Sequence, residues 1–264
     1  MNTQKVASHI TNWLKDYALK AGVKGFVVGV SGGVDSAVTS ALCARTGLEV
    51  LCLEMPIHQA QSQVSRAQEH IAHLKGQYEN VGSERVELTG VFEEFISACP
   101  KEEESDRRSL SLANTRARLR MTTLYYFAGL KGLLVAGTGN KVEDFGVGFF
   151  TKYGDGGVDL SPIADLMKSE VYELAEYLGV VESIRRAQPT DGLFGDSRTD
   201  EDQLGASYDE LEWAMGQADS GRSPEDFTGR EREVLEIYTR LNRANRHKMV
   251  EIPVCKVSEE LKKV

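Results

Sequence analysis

Proline and cysteine are scarce in this chain, with six and four residues among 264, and tryptophan occurs only twice. Collagen-like and proline-rich disordered chains are thereby excluded, and 41% hydrophobic with 27% charged residues describes an ordinary globular protein. Cys43, Cys52, Cys99 and Cys255 are widely spaced, with no C-x-x-C pair and no histidine at metal-ligand spacing. They read as reduced thiols rather than a disulfide frame or a zinc site. His70 and His73 share a helical spacing without a third ligand, so packed or solvated histidines are expected there. No apolar run approaches the ~20 residues that cross a bilayer. The opening MNTQKVASHITNWL lacks the basic-then-apolar order of a secretory signal, so a cytoplasmic protein without membrane attachment is expected. Positive charge is in deficit too: 31 Lys and Arg face 40 Asp and Glu, a formal charge of -9, which argues against a nucleic-acid partner. A local basic pocket for a small anion remains compatible with that balance.

What is present is a repeated change of hydrophobic period. Val6, Ile10, Trp13, Leu14 and Tyr17 recur at helical spacing between Lys5 and Ala21. The apolar, β-branched run from Lys24 to Val30 then ends in SGGVDS, and a helix is expected from Ala37 to Arg45. A second buried strand, Leu48 to Met55, is followed by a polar helical stretch from His58 to Lys75. Strand, helix, strand implies a parallel sheet. Further on, the pattern predicts a strand near Val86 to Leu88, an aromatic patch at Phe92 and Phe95, and a solvated loop over the charged run Lys101 to Arg108. A helix from about Leu110 to Gly129 leads into the strand Leu133 to Ala136 and the turn GTGNKVED, residues 137–144. This repeats the strand-then-glycine-turn layout, and in parallel α/β sheets such turns emerge at the carboxyl edge, where ligands bind. Residues 145–165 form a glycine-rich loop whose ordering is entropically costly and therefore suits a ligand site. Val171, Leu174, Ala175 and Leu178 mark a helix, residues 188–205 a second loop, and Arg230 to Met249 a charged helix. The expectation is one domain spanning 1–264, α/β, with a doubly wound parallel sheet and a helical carboxyl-terminal portion.

SGGVDS, Ser31 to Ser36, carries the chemistry. After a buried strand, Gly32 and Gly33 let the backbone turn its N–H groups and the next helix start toward one point, a geometry suited to phosphate oxygens. The Walker lysine is missing, and so is the G-x-G-x-x-G fingerprint. Asp35 beside phosphates is repulsive unless a divalent cation intervenes, so the motif points to magnesium with a nucleotide or pyrophosphate. The alternative is a plain strand-to-helix turn with Asp35 satisfying free N–H groups.

SGGVDS after a strand resembles the signature of the PP-loop ATP pyrophosphatases, which split ATP to AMP and pyrophosphate while activating an oxygen of a second substrate. GFFTKYGDGGVDLSPIADLMKSEV, with RARLRM before it and the PT, LGASYDE and HK elements after it, resembles the ammonia-dependent NAD synthetases over nearly the whole chain. The resemblance implies an adenine nucleotide α-hydrolase-like fold. It also implies a ligase that amidates deamido-NAD to NAD as the last step of NAD biosynthesis, with ATP as co-substrate and Mg2+ as cofactor.

Residue by residue, the resemblance places ATP on Gly29, Val30, Ser31, Gly32, Gly33, Val34, Asp35 and Ser36, and on Thr138, Lys168 and Thr190. It places magnesium on Asp35 and Glu143, and deamido-NAD on Arg118, Lys152, Asp159, His247 and Lys248. Lys168 is the family's catalytic cation near the α-phosphate, where it would offset developing charge; on its residues alone it reads as an exposed helix start. Asp155 matches the position that takes a proton from ammonium. Arg and Lys suit the pyrophosphate and carboxylate of deamido-NAD, and Phe149, Phe150 and Tyr153 are candidates for stacking on its ring. The resemblance further implies a homodimer with deamido-NAD near the subunit interface, and use of free ammonia, a glutaminase acting only as a separate protein. Better-known members carry SGGQDS and GTDHAAEA where this chain has SGGVDS and GTGNKVED, which makes Asp144 an alternative magnesium ligand. The rival readings are another PP-loop enzyme, such as an amidotransferase subunit or a tRNA-modifying enzyme, and a nucleotide-binding regulator without catalysis.

Overall fold

A computed structural model describes residues 1–190 and 199–263 of the chain. Four parallel strands form one sheet in the order β3-β2-β1-β4: β1 Gly25–Gly29, β2 Glu49–Glu54, β3 Val81–Arg85 and β4 Leu133–Val135. The chain runs outward from β1 through β2 to β3, then returns across the sheet to place β4 beside β1. That reversal opens a crevice between the carboxyl ends of β1 and β4, the standard ligand position of an open α/β sheet. β1 lies inside the sheet and is buried on both faces, which is why it reads as a nearly continuous apolar run.

The alternation along β1 divides the core. Phe26 and Val28 enter a cluster with α1 (Thr3–Ala21), α2 (Val34–Arg45), α3 (Gln61–Gln77), α6 (Lys168–Tyr177) and α7 (Glu182–Arg185). Val27 turns the other way, joining Phe92 of α4 (Thr89–Ala98) and Ala128 of α5 (Asp106–Lys131). Helices on both faces make the sheet doubly wound, as expected. A separate apolar cluster unites the π-helical turn Val142–Val147 with α8 (Asp200–Leu204), α9 (Tyr208–Asp219) and α10 (Gly229–Met249) through Val142, Leu204, Leu211 and Leu235. This is the helical carboxyl-terminal portion. A 3₁₀ turn, Pro224–Asp226, and the short α11 (Glu259–Lys262) complete it.

Several expectations need correction. The third strand lies at Val81–Arg85, before the apolar triplet Val86 to Leu88. As an edge strand of sequence VGSER with most of its residues outside the core, it lacks the apolar signal. Phe92 and Phe95 lie on a helix. The charged run is coil only as far as Ser105, whose hydroxyl accepts from the Arg108 N–H and caps α5. Within the 188–205 segment, residues 191–198 lie outside the described part, and Asp200–Leu204 is helical with Thr199 as its cap. His70 is a packed histidine, its Nε2 3.0 Å from the Ser40 hydroxyl, and all four cysteines are free thiols. No helix of the described residues is long and apolar enough to cross a membrane.

Candidate active site

The turn after β1 is built around Gly32, whose φ of 84° belongs to the left-handed region. A Cβ there would also meet the Gln63 carbonyl oxygen at 2.5 Å, so the position is closed to side chains on two grounds. Ser31 and Ser36 lock the turn: the Ser36 hydroxyl donates to the Gly33 carbonyl at 3.0 Å and accepts from the Ser31 N–H at 3.2 Å. Arg66 of α3 holds the outside of the loop through Nε to the Gly32 carbonyl at 3.2 Å. All eight residues from Gly29 to Ser36 line a cavity of about 270 Å³ between the strand ends, together with Thr138, Glu143, Asp155 and Thr190.

Two carboxylates meet at this crevice. Asp35 stands in the first turn of α2, after β1, and Glu143 in the π-helical turn after β4. Lys168, the first residue of α6, reaches between them: Nζ donates to Asp35 Oδ2 at 2.6 Å and to Glu143 Oε1 at 3.0 Å. It is buried, with its side chain only 4% exposed, and is not the exposed helix start that its residues alone suggest. Burial by itself would lower its pKa, but the carboxylates of Asp35 and Glu143 outweigh burial and push it up. Asn140 bridges the pair, donating to Asp35 Oδ1 at 3.1 Å and accepting from the Glu143 N–H at 3.1 Å. Tyr208 donates its hydroxyl to Glu143 Oε1 at 2.6 Å and lays its ring under Lys168, 4.6 Å from Nζ. Burial, then the neighbouring Glu143 and Asp200 carboxylates, push the Tyr208 pKa up, so the phenol keeps its proton.

Asp35 and Glu143 thus present hard oxygen donors from neighbouring strand ends, already converging on one cationic group. That chemistry fits magnesium. Among the described residues no cluster of three or more acidic, histidine or cysteine side chains forms a complete metal cage, so phosphate and water oxygens would fill the remaining positions. Asp144 is not part of the cavity wall; its carboxyl lies against Gly139, where a Cβ would meet Oδ1 at 2.2 Å. Burial first, then the charges of Glu143, Asp155 and Asp35, push its pKa up to about 8.

A second group of expected residues gathers around the loop 148–155. Arg118 of α5 donates to the Lys152 carbonyl at 3.3 Å, and Lys152 Nζ donates to the His247 carbonyl at 2.8 Å. Lys248, at the end of α10, donates to the carbonyls of Gly148 and Phe150 and sits 4.9 Å from the Phe150 ring centre. Burial lowers its pKa, with Asp155 opposing. Asp155 stands on the cavity wall, and its Oδ1 accepts from the Thr151 N–H at 3.0 Å. Asp155 is exposed on that wall, and the mass of protein around the crevice nevertheless pushes its pKa up to about 6 against the Thr151 hydrogen bond. Asp159 lies apart from the others: Oδ1 accepts from the Tyr125 hydroxyl at 3.0 Å and Oδ2 from the Val135 N–H at 2.8 Å, tying α5 to β4. Arg118, Lys152, Asp159, His247 and Lys248 do not line the cavity itself.

The arrangement is a glycine turn of a shape suited to phosphate and a pair of converging carboxylates, near a loop that carries Asp155 and is held by Arg118, Lys152 and Lys248. The NAD synthase family model matches residues 6–251. The chain belongs to the NAD synthase family. It is 36% identical to the NH(3)-dependent NAD(+) synthetase of Methanosarcina mazei, over 96% of this chain and 98% of that one. Among solved structures it is similar to NMN synthetase from Francisella tularensis, with a TM-score of 0.85 and 29% identity over 97% of this chain and 100% of that chain. The NH3-dependent NAD synthetase from Campylobacter jejuni gives a TM-score of 0.77 and 26% identity, over 97% and 100% of the two chains. Membership in the NAD synthase family disfavours the tRNA-modifying and regulatory readings.

Sequence reading missed part of the site. Arg120 donates from Nε to the Met55 carbonyl and from Nη2 to Gln59 Oε1, and together with Gln63 these residues line the cavity. Arg120 falls in the RARLRM element, in which the resemblance assigns a role to Arg118 alone. Tyr208 falls in LGASYDE, an element the resemblance matched without assigning it a role.

Proposed function

We propose that this NAD synthase is a ligase that amidates deamido-NAD to NAD with ATP and ammonia, releasing AMP and pyrophosphate. The observation that carries the reading is the meeting of Asp35 and Glu143 on the wall of the cavity beside the Gly29–Ser36 turn, with the buried Lys168 behind them bonded to both, in a chain whose relatives are ammonia-dependent NAD synthetases. The N–H groups of the turn and the start of α2 bind the ATP phosphates, with Thr138 and Thr190 on the same cavity wall. Asp35 and Glu143 hold magnesium, which when bound supplies neutralising charge at phosphate oxygens. Arg118, Lys152, Asp159, His247 and Lys248 take deamido-NAD, and bound deamido-NAD presents its nicotinate carboxylate to the α-phosphorus.

A carboxylate is a poor electrophile because oxide is an impossible leaving group, so activation comes first. One carboxylate oxygen bonds to the α-phosphorus as the bond to pyrophosphate breaks, giving a mixed anhydride, and Lys168 stabilises the charge that develops. Asp155, ionised above its pKa of about 6, takes a proton from ammonium. The freed ammonia attacks the anhydride carbonyl, the bond from that carbon to the AMP oxygen breaks as the amide forms, and the proton lost from nitrogen passes to solvent as AMP leaves. Residues 1–264 act as a single synthetase unit. A cytoplasmic homodimer completes the picture: the outer face of α5, which also carries Arg118, exposes Tyr126 and Leu130 by 63% and 65%, an apolar surface that a second copy would cover.

The test is pyrophosphate and NAD formation from ATP, magnesium and ammonium, with and without deamido-NAD. Formation of both products only with deamido-NAD is expected, and Asp35→Ala or Glu143→Ala is expected to abolish it while the fold persists. Nicotinate mononucleotide serves as the control acceptor, given the likeness to an NMN synthetase. Pyrophosphate release independent of either acceptor, or an active Asp35→Ala/Glu143→Ala double variant, overturns the reading.

A further inference from the structure

The LGASYDE element has no part in the reaction described so far, yet its tyrosine enters the centre of the charge cluster. Ser207 caps α9, and Glu210 bonds back to the Ser207 N–H at 2.9 Å, so the helix start that carries Tyr208 is fixed. The Tyr208 N–H is held as well, by Glu201 Oε1 at 3.0 Å. Its ring is 5% exposed and belongs to the apolar cluster of the carboxyl-terminal helices. From that anchor the hydroxyl crosses to Glu143, in the turn after β4.

A phenol has a single hydrogen to donate. Glu143 Oε1 lies at 2.6 Å and Asp200 Oδ2 at 3.4 Å, so the hydrogen belongs to Glu143. Lys168 Nζ donates to the same Oε1. Two donors therefore converge on one oxygen of Glu143, while Oε2 carries no protein hydrogen bond among the described residues, and Glu143 lines the cavity. The tyrosine ring meanwhile supports the Lys168 ammonium from below at 4.6 Å, in cation–π geometry. One side chain thus touches both charged groups that the nucleotide needs and fixes which carboxylate oxygen stays available.

We propose that Tyr208 is a positioning residue of the nucleotide site: its hydroxyl and ring hold Glu143 and Lys168 so that Glu143 Oε2 is left for the cation that accompanies ATP. The proposal rests on the NAD synthase reading of Asp35, Glu143 and Lys168. It also gives the carboxyl-terminal helices a task at the sheet edge. The Asp200 N–H donates to the Pro189 carbonyl at 3.1 Å, beside Thr190, so the same helices brace the far wall of the cavity.

The decisive measurement is calorimetric binding of a non-hydrolysable ATP analogue with magnesium and no acceptor, which is independent of what the enzyme amidates. Tyr208→Phe should weaken that binding about tenfold, as expected for losing one hydrogen bond to a charged group. The unfolding midpoint of the ligand-free protein should stay within about 4 °C of wild type. In turnover, kcat should fall while KM for deamido-NAD holds. Tyr208→Leu, which also removes the ring beneath Lys168, should lose more. In a Glu143→Ala background Tyr208→Phe should have little additional effect, because the hydroxyl acts through that carboxylate. Wild-type affinity in Tyr208→Phe, or an equal loss with and without Glu143, overturns the proposal. Failure of wild-type enzyme to amidate deamido-NAD overturns the reaction assigned above and leaves the binding result to stand or fall on its own.

Discussion

On the nucleotide side of the cavity the buried lysine is clamped between carboxylates: Lys168 donates to both Asp35 and Glu143. On the acceptor side Arg118, Lys152 and Lys248 donate instead to main-chain carbonyls of Lys152, His247, Gly148 and Phe150. The first arrangement neutralises its cation in the ligand-free protein. The second holds its cations in place on carbonyls, and among the described residues none of the three forms an ion pair with an acid, although Asp155 lies near enough to Lys248 to act on it. A carbonyl dipole orients an ammonium without cancelling it, so an incoming pyrophosphate or carboxylate meets net positive charge there. In the proposed reading, a chain of formal charge -9 would meet an anionic dinucleotide with a few basic residues held on carbonyls rather than in ion pairs.

The strongest way to break this contrast is Lys168→Met. With no ammonium between them, Asp35 and Glu143 repel each other, and kcat should fall about a thousandfold. The ligand-free variant should also lose about 3 kcal/mol in a denaturant titration at neutral pH, because the carboxylates are only 17% and 16% exposed. Added magnesium should restore part of that loss, and a variant as stable as wild type without magnesium would show that the clamp is not the neutralising device. Next in size is Lys152→Ala. Among the described residues its ammonium makes no ion pair, so its removal should raise KM for deamido-NAD about tenfold and leave KM for ATP and the unfolding midpoint nearly unchanged. A shift in KM for ATP would mean that the two sides are not separate.

Asp155 sharpens the comparison through pH. Its pKa rises from an ordinary 3.8 to about 6, so the folded chain holds this proton more tightly than the unfolded chain does. Ionising it therefore costs stability progressively between about pH 4 and 6, and the cost is complete above that window. Asp155→Asn should accordingly melt higher than wild type at pH 8 and close to it at pH 4. In wild type kcat/KM for ammonium should fall on the acid side near pH 6; an acid limb that persists unchanged in the residual activity of Asp155→Asn would assign the proton to another group.

The local parts of this architecture were legible because each is written in a short stretch. The run from Lys24 to Val30, the glycines of SGGVDS and the apolar stripe of α2 specify strand, turn and helix without distant help, and the doubly wound sheet follows from their repetition at Leu133 and GTGNKVED. β3 was misplaced because an edge strand needs few apolar side chains, and VGSER offers none of the usual periodicity. The helix at Tyr208–Asp219 passed unnoticed although its S-x-x-E capping box, Ser207 to Glu210, is a readable start signal. Lys168 is the clearest case of context overriding composition. A lysine at a helix start is ordinarily solvated, and nothing nearby in sequence announces two carboxylates 133 and 25 residues away.

What the sequence by itself determined is the kind of chemistry: a phosphate turn that requires a cation beside Asp35, repeated strand ends that face one edge, and a long motif specific enough to imply the substrate class. Tertiary structure alone decided the electrostatics. Whether a basic residue is paired with an acid or left on a carbonyl depends on which distant segments the sheet reversal and the carboxyl-terminal helices bring within about 3 Å. Hydrogen bonds and ion pairs are short-ranged and directional, whereas sequence spacing carries information mainly along one strand or helix, so Tyr208, Glu143 and Lys168 become a single device only once the chain is folded.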